Sequence, residues 1–81
     1  MSHNQLYFNP SDPYQLCALM RDFGDSKFPF SGTNEDGEDI DLHISKDSIV
    51  CKTYQNNGWI RANYYDEDGI CIEEMFEGKW Q

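Results

Sequence analysis

The sequence predicts an α+β domain in which one N-terminal helix packs on a four- or five-stranded antiparallel meander sheet. Three observations carry this reading: a capped segment of helical apolar period early in the chain, a switch to period-two alternation after it, and Gly-bearing turn sequences between the alternating runs. At 81 residues the chain is long enough for one hydrophobic core and too short for two, so a single domain over 1–81 is expected.

Asp12 suits the N-cap, because its carboxylate can accept from the first backbone N–H groups of a helix. Pro13 suits the first helical position, where no N–H is needed, and Gln15 stands where a capping box places its return partner. Leu16, Leu19, Met20 and Phe23 fall at i, i+3, i+4 and i+7 and make one apolar face, and Gly24 follows at the C-terminal cap. The helix is therefore placed at 13–23. Ahead of it Leu6, Tyr7 and Phe8 suit a short strand or a staple against the core, and Pro10 stops any continuation.

Phe28-Pro29-Phe30 leads to Gly32 and suggests a short strand, confined to a sheet edge by Pro29, with Asn34-Glu35-Asp36-Gly37 as the turn after it. Ile40, Leu42 and Ile44 alternate with Asp39, Asp41 and His43, as in a half-buried strand. Lys46-Asp47 makes a tight connection to the run 48–55. Asn57-Gly58 then signals a type I′ hairpin turn into the run 59–65. Asp66-Glu67-Asp68-Gly69 closes a further hairpin before the run 70–76. Gly78 breaks the pattern, and Trp80 is expected to fold back on a sheet edge or the helix end. Residues 1–5 and the acidic turn 33–38 are the segments expected to be weakly ordered.

Fifteen Asp and Glu against six Lys and Arg give a formal charge of −9. The cations Arg21, Lys27, Lys46, Lys52, Arg61 and Lys79 are scattered, so direct binding of nucleic acid or anionic lipid is not expected. The field instead favours a protein partner with a basic surface. An aromatic content of 15% separates the chain from disordered acidic tails. Cys17, Cys51 and Cys71 are odd in number and lack CxxC spacing, which points to reduced thiols and a cytoplasmic setting. The opening MSHNQLYFNP has neither the basic start nor the apolar run of a signal peptide, and no stretch has membrane-spanning length.

Catalytic and metal motifs are not matched. Counting back from Gly37 or Gly69 as position 6 of a calcium loop puts Gly32 or Tyr64 at position 1, and His43 or Met75 at position 12, where a bidentate Glu is required; these glycines are read as hairpin residues. His3, His43 and the three cysteines share no zinc-ligand spacing and are read as ordinary side chains, the thiols buried. A nucleophile built from His43 and one of those thiols has no sequence signature around it. Chance carboxylate pairs among Glu73, Glu74 and Glu77, or Asp39 and Asp41, are expected in so acidic a chain. Neither a catalytic residue, a metal nor a cofactor is expected.

The candidate binding residues are two acidic clusters and one aromatic strand face. Glu35, Asp36, Glu38, Asp39 and Asp41 form the first cluster, with Asp39 and Asp41 on one strand face roughly 6.6 Å apart. Asp66, Glu67, Asp68, Glu73, Glu74 and Glu77 form the second. In the strand 59–65, Ile60, Ala62 and Tyr64 suit burial under the helix. That leaves Trp59, Arg61 and Tyr65 as an exposed patch of the residue types that dominate interfaces.

In size and charge the chain is similar to small acidic inhibitors encoded by phages and mobile elements, including DNA mimics and anti-CRISPR proteins; the similarity covers no particular residue. It implies an inhibitor that occupies a basic, nucleic-acid-binding surface. The alternative is a structural or regulatory domain that homodimerises through a free sheet edge or the Trp59–Tyr65 face, its acids serving solubility alone. A small thiol or metal enzyme is a distant third.

Overall fold

The computed structural model describes residues 6–7, 12–25 and 30–81. Its elements are β1 (Leu6–Tyr7), α1 (Pro13–Phe23), β2 (Phe30–Thr33), β3 (Asp39–Ile44), β4 (Ile49–Tyr54), β5 (Trp59–Tyr65) and β6 (Cys71–Lys79). One sheet holds all the strands in the order β1-β2-β3-β4-β5-β6. From β2 to β6 it is the expected antiparallel meander. The two residues of β1 add a parallel pair to β2, so β2 is not the edge strand that Pro29 suggested. Phe8, Phe28, Pro29 and the segment 1–5 lie outside the described residues.

The helix begins as its sequence requires. Asp12 Oδ1 accepts from the backbone N–H of Tyr14 at 3.1 Å and of Gln15 at 3.4 Å, and Pro13 opens the first turn. At the other end Gly24 keeps a right-handed backbone, φ −63°. Its role is room rather than handedness, since a Cβ there would meet Met20 O and lie 2.8 Å from Lys46 Cα in the β3–β4 turn. The first helical turn is seated in the same way on the β5–β6 turn, where a Cβ on Gly69 would lie 2.8 Å from Pro13 O. The Cys17 thiol also donates to the Glu67 carbonyl at 3.6 Å. Both ends of α1 are thus fixed against hairpin turns at one end of the sheet.

Leu16, Leu19 and Met20 pack there against Ile40, Leu42 and Ile44 of β3, Ile49 and Cys51 of β4, and Tyr65 of β5. Leu16, Ile40, Leu42 and Ile49 are fully buried, each contributing about 1.5–3 kcal/mol. Phe23 lies at the margin and meets Phe30 edge-on, with ring centroids 4.9 Å apart.

Three hairpins share one turn design. Asn34, Gln55 and Asp66 each accept at the carbonyl from a glycine N–H three residues on (Gly37, Gly58 and Gly69), and each donates to the carbonyl one residue further. The glycines have φ of +79°, +91° and +79°, and no other residue type among those described has a positive φ. The turn at Asn57-Gly58 is therefore not type I′, which needs positive φ at both central residues. It starts at Gln55 and is a three-residue loop closed by Gly58. The acidic turn 33–38 is also tightly made, because Asn34 Oδ1 accepts from the N–H groups of both Asp36 and Glu38.

This turn correction carries a second one. A type I′ turn at 57–58 would pair Cys51 with Tyr64 and Thr53 with Ala62, putting Ile60, Ala62 and Tyr64 on the core side. The observed loop pairs Cys51 with Asn63 and Ile49 with Tyr65. A slip of one residue exchanges the two faces. Tyr65 is accordingly core, and Ala62 is buried on the face away from the helix, between Lys52 and Met75 in the register.

Candidate binding surface

The helix covers the sheet over β3 and β4 and the Tyr65 end of β5, and it leaves the rest of that face to β5 and β6. Arg61 pairs with Phe76, and Asn63 with Glu74, on the helix side; Ala62 pairs with Met75, and Tyr64 with Glu73, on the other. The ladder is irregular at two places, where Ile72 and Glu77 are the extra residues of β-bulges. Ile70, Ile72, Met75 and Phe76 are exposed, with Ile72 at 65% and Phe76 at 59%.

Trp59, expected to be exposed, is so at 41%. Its ring meets that of Phe76 edge-on with centroids 6.2 Å apart, and Lys79 Nζ lies 5.1 Å from the Trp59 ring centre. With Asn57 these rings line an apolar hollow of about 410 Å³. Arg61 is half-buried; its Nε donates to Asn63 Oδ1 at 3.1 Å and lies 3.9 Å from Glu74 Oε2. Tyr65, expected in the same exposed patch, is only 5% exposed, and burial pushes its phenol well above the ordinary range. The aromatic partner of Trp59 is instead Phe76. Trp80, expected on a sheet edge or the helix end, folds over the β4–β5 turn, its indole N–H donating to Gln55 O at 2.7 Å.

Several of the acidic residues act as struts. Glu38 accepts from Asn34 Nδ2 at 3.0 Å and from Asn56 N–H at 2.8 Å, tying two turns together, and these bonds hold its carboxyl below the usual range. Asp41 accepts from Tyr54 Oη at 2.9 Å and Ser31 Oγ at 3.3 Å, and the first bond raises the Tyr54 phenol above its ordinary value. Asp66 Oδ1 accepts from the N–H groups of Asp68 and Ile70 and shapes its turn. Glu35, Asp36, Asp39, Glu67, Asp68, Glu73 and Glu74 are exposed.

The two clusters are apart except at Glu77: Asp39 lies in register with Tyr54, Ile60 and Gly78, and Glu73 with Tyr64, Val50 and His43, at opposite ends of the strands, whereas Glu77, beside Gly78, pairs with Lys52, the register partner of Asp41. The cations do not offset the exposed acids as a patch. Among the described residues Arg21 pairs with Asp22, Lys46 with Asp25 and Lys52 with Glu77, while Arg61 lies by Glu74 and Lys79 over Trp59.

Contrary to the sequence expectation, the thiols are not all buried. Burial pushes the Cys51 thiol up to about 11, Cys17 is half-buried, and Cys71 is exposed on β6, which among the described residues has no neighbour beyond it. His43 pairs with Val50 on the face opposite Cys51, so the two do not meet. Among the described residues no three His, Cys, Asp or Glu side chains are grouped to hold a metal ion, and no helix is long and apolar enough to cross a membrane. No protein-family model, curated protein or solved structure matches the chain.

Of this surface, sequence reasoning reached Trp59, Arg61, Glu73 and Glu74 and missed Ile70, Ile72, Met75 and Phe76. The signal for the missed residues was the failure of alternation in the run 70–76, where two acids interrupt the apolar positions.

Proposed function

We propose that this chain is a non-catalytic protein-binding module that covers a basic, nucleic-acid-binding surface of its partner, acting as an inhibitor in the manner of a DNA mimic. The observation that carries the reading is the composition of the β6 edge: exposed Phe76 and Trp59 stand with exposed Glu74 on the helix-side face, and exposed Met75 with exposed Glu73 on the other. Apolar surface rimmed by charge is the make-up of an interface, with the apolar part supplying affinity and the charge supplying encounter rate and choice of partner. Self-association through the same side would set a chain of −9 against another of −9.

The test is competition. A partner recovered from host extract is loaded with a fluorescent oligonucleotide, and this protein is titrated in. Displacement of the oligonucleotide is expected, with association slowing markedly from low to physiological salt, where exposed charges beyond about 8–10 Å are screened. A ternary complex in which both ligands keep their affinities would overturn the reading.

A further inference from the structure

We propose that the outer edge of β6 receives an extended segment of the partner as an added strand, and that this segment carries two adjacent Lys or Arg next to two adjacent apolar residues. The inference rests on the reading of the chain as a protein-binding module and names what the module binds.

A strand at the edge of a sheet offers a row of unpaired N–H and C=O groups to another chain. β6 is nine residues long and pairs with β5 alone among the described residues, whereas the opposite edge is the two-residue β1. Edges are blunted by shortness, proline, charged side chains or bulges, and in β6 the bulges stand outside the stretch 73–76. β6 has no proline, and its one lysine, Lys79, is at its end and over Trp59. Its bulges at Ile72 and Glu77 leave Glu73-Glu74-Met75-Phe76 between them as a regular stretch, paired residue for residue with Tyr64, Asn63, Ala62 and Arg61.

That stretch sets the chemistry of the added strand. Facing residues on neighbouring strands lie side by side, and opposite charges or apolar pairs there are favourable while like charges are not. Glu73 calls for a basic neighbour on one face and Glu74, which also accepts from Asn63 Nδ2 at 3.0 Å and lies by Arg61, for one on the other, while Met75 and Phe76 call for apolar ones. A second copy meets this poorly. Antiparallel self-pairing centred on Met75 opposes Glu73 to Glu77 twice, and centring it between Met75 and Phe76 opposes Glu74 to Glu77 twice. Centring it on Phe76 sets Glu73 against Lys79, which already lies over Trp59.

The probe is the capped peptide Thr-Thr-Val-Val-Lys-Lys-Thr-Thr, with two controls: glutamates in place of the lysines, and alternate backbone N-methylation that blocks strand pairing. Amide shifts and hydrogen exchange are read by NMR on the full chain. The lysine peptide is expected to shift the amides of 72–77 and slow their exchange at least tenfold, while both controls leave them unchanged. Glu73→Lys should weaken the lysine peptide about fivefold with an unchanged melting midpoint.

Equal binding of the lysine and glutamate peptides, shifts confined to the β2–β3 turn, or unchanged β6 exchange at millimolar peptide would overturn strand addition. If strand addition fails while the chain still displaces nucleic acid from its partner, the broader reading stands alone. If the peptide binds as described but the partner keeps its nucleic acid, the broader reading is the one that fails.

Discussion

Alanine at Gly69 and alanine at Gly37 form a matched pair that isolates how the helix is seated. Both glycines close a three-residue hairpin loop and both have φ of +79°. Putting an L-residue into that left-handed region costs roughly 1–2 kcal/mol at either site. At Gly37 no heavy atom lies within 4 Å of the added Cβ, so the loss stops there. At Gly69 the Cβ would lie 2.8 Å from Pro13 O and 3.0 Å from Pro13 Cα, both backbone atoms of the first helical turn. The turn and the helix must then separate, an overpacking cost of about 1–3 kcal/mol on top of the strain. For a domain of this size each kcal/mol moves the melting midpoint by about 4–8 °C, so the two variants should differ by roughly 5–20 °C. Thermal and urea melts at neutral pH, followed by far-ultraviolet circular dichroism, measure the difference. Equal losses, or a larger loss at Gly37, would refute the seating of α1 on the β5–β6 turn.

The two aromatic residues once grouped on one patch should part company: Tyr65→Ala should cost about 3–5 kcal/mol as a core truncation, and Trp59→Ala well under half of that. Comparable losses in urea melts would contradict the register of β5. Glu38 is held below its ordinary value of 4.5 by Asn34 and Asn56, so its contribution to stability is present above that pH and lost as pH falls through the folded value. Glu38→Gln should therefore flatten the fall of the urea midpoint between about pH 5 and pH 3; an unchanged acid limb would remove Glu38 from the account. Alkylation at about pH 8 should modify Cys71 first and Cys51 only as fast as the fold opens, because burial holds the Cys51 thiol up at about 11. Peptide mapping by mass spectrometry reads the order, and equal rates would argue against a closed core.

The helix and the hairpins were legible because their signals are local. Asp12 and Pro13 cap a helix whatever lies beneath it, and the Leu16, Leu19 and Met20 spacing marks a buried face before its partner is known. Ile40, Leu42 and Ile44 were likewise core by alternation alone. The site was legible only in part. Trp59 and the exposed acids of β6 were found, but Glu38, Asp41 and Asp66 were counted as free surface, although their oxygens hold turns and a neighbouring strand together. A carboxylate's partner is set by what the fold brings near it, and composition does not report that.

The sequence by itself determined that one capped helix precedes a run of antiparallel strands, that three of the turns lie at their glycines, and that the chain carries a strong negative charge. Tertiary structure decided which face of β5 is core. Asn57-Gly58 fits a two-residue turn as well as it fits the end of a three-residue one, and the strand period of two makes a one-residue difference in that loop exchange Tyr65 with Ala62 and Tyr64. Seating α1 on the β5–β6 turn and burying Tyr65 beside Ile49 go with the longer loop. The same long-range packing leaves Phe76 beside Trp59 on an uncovered edge, a juxtaposition of residues 17 positions apart that no local pattern encodes.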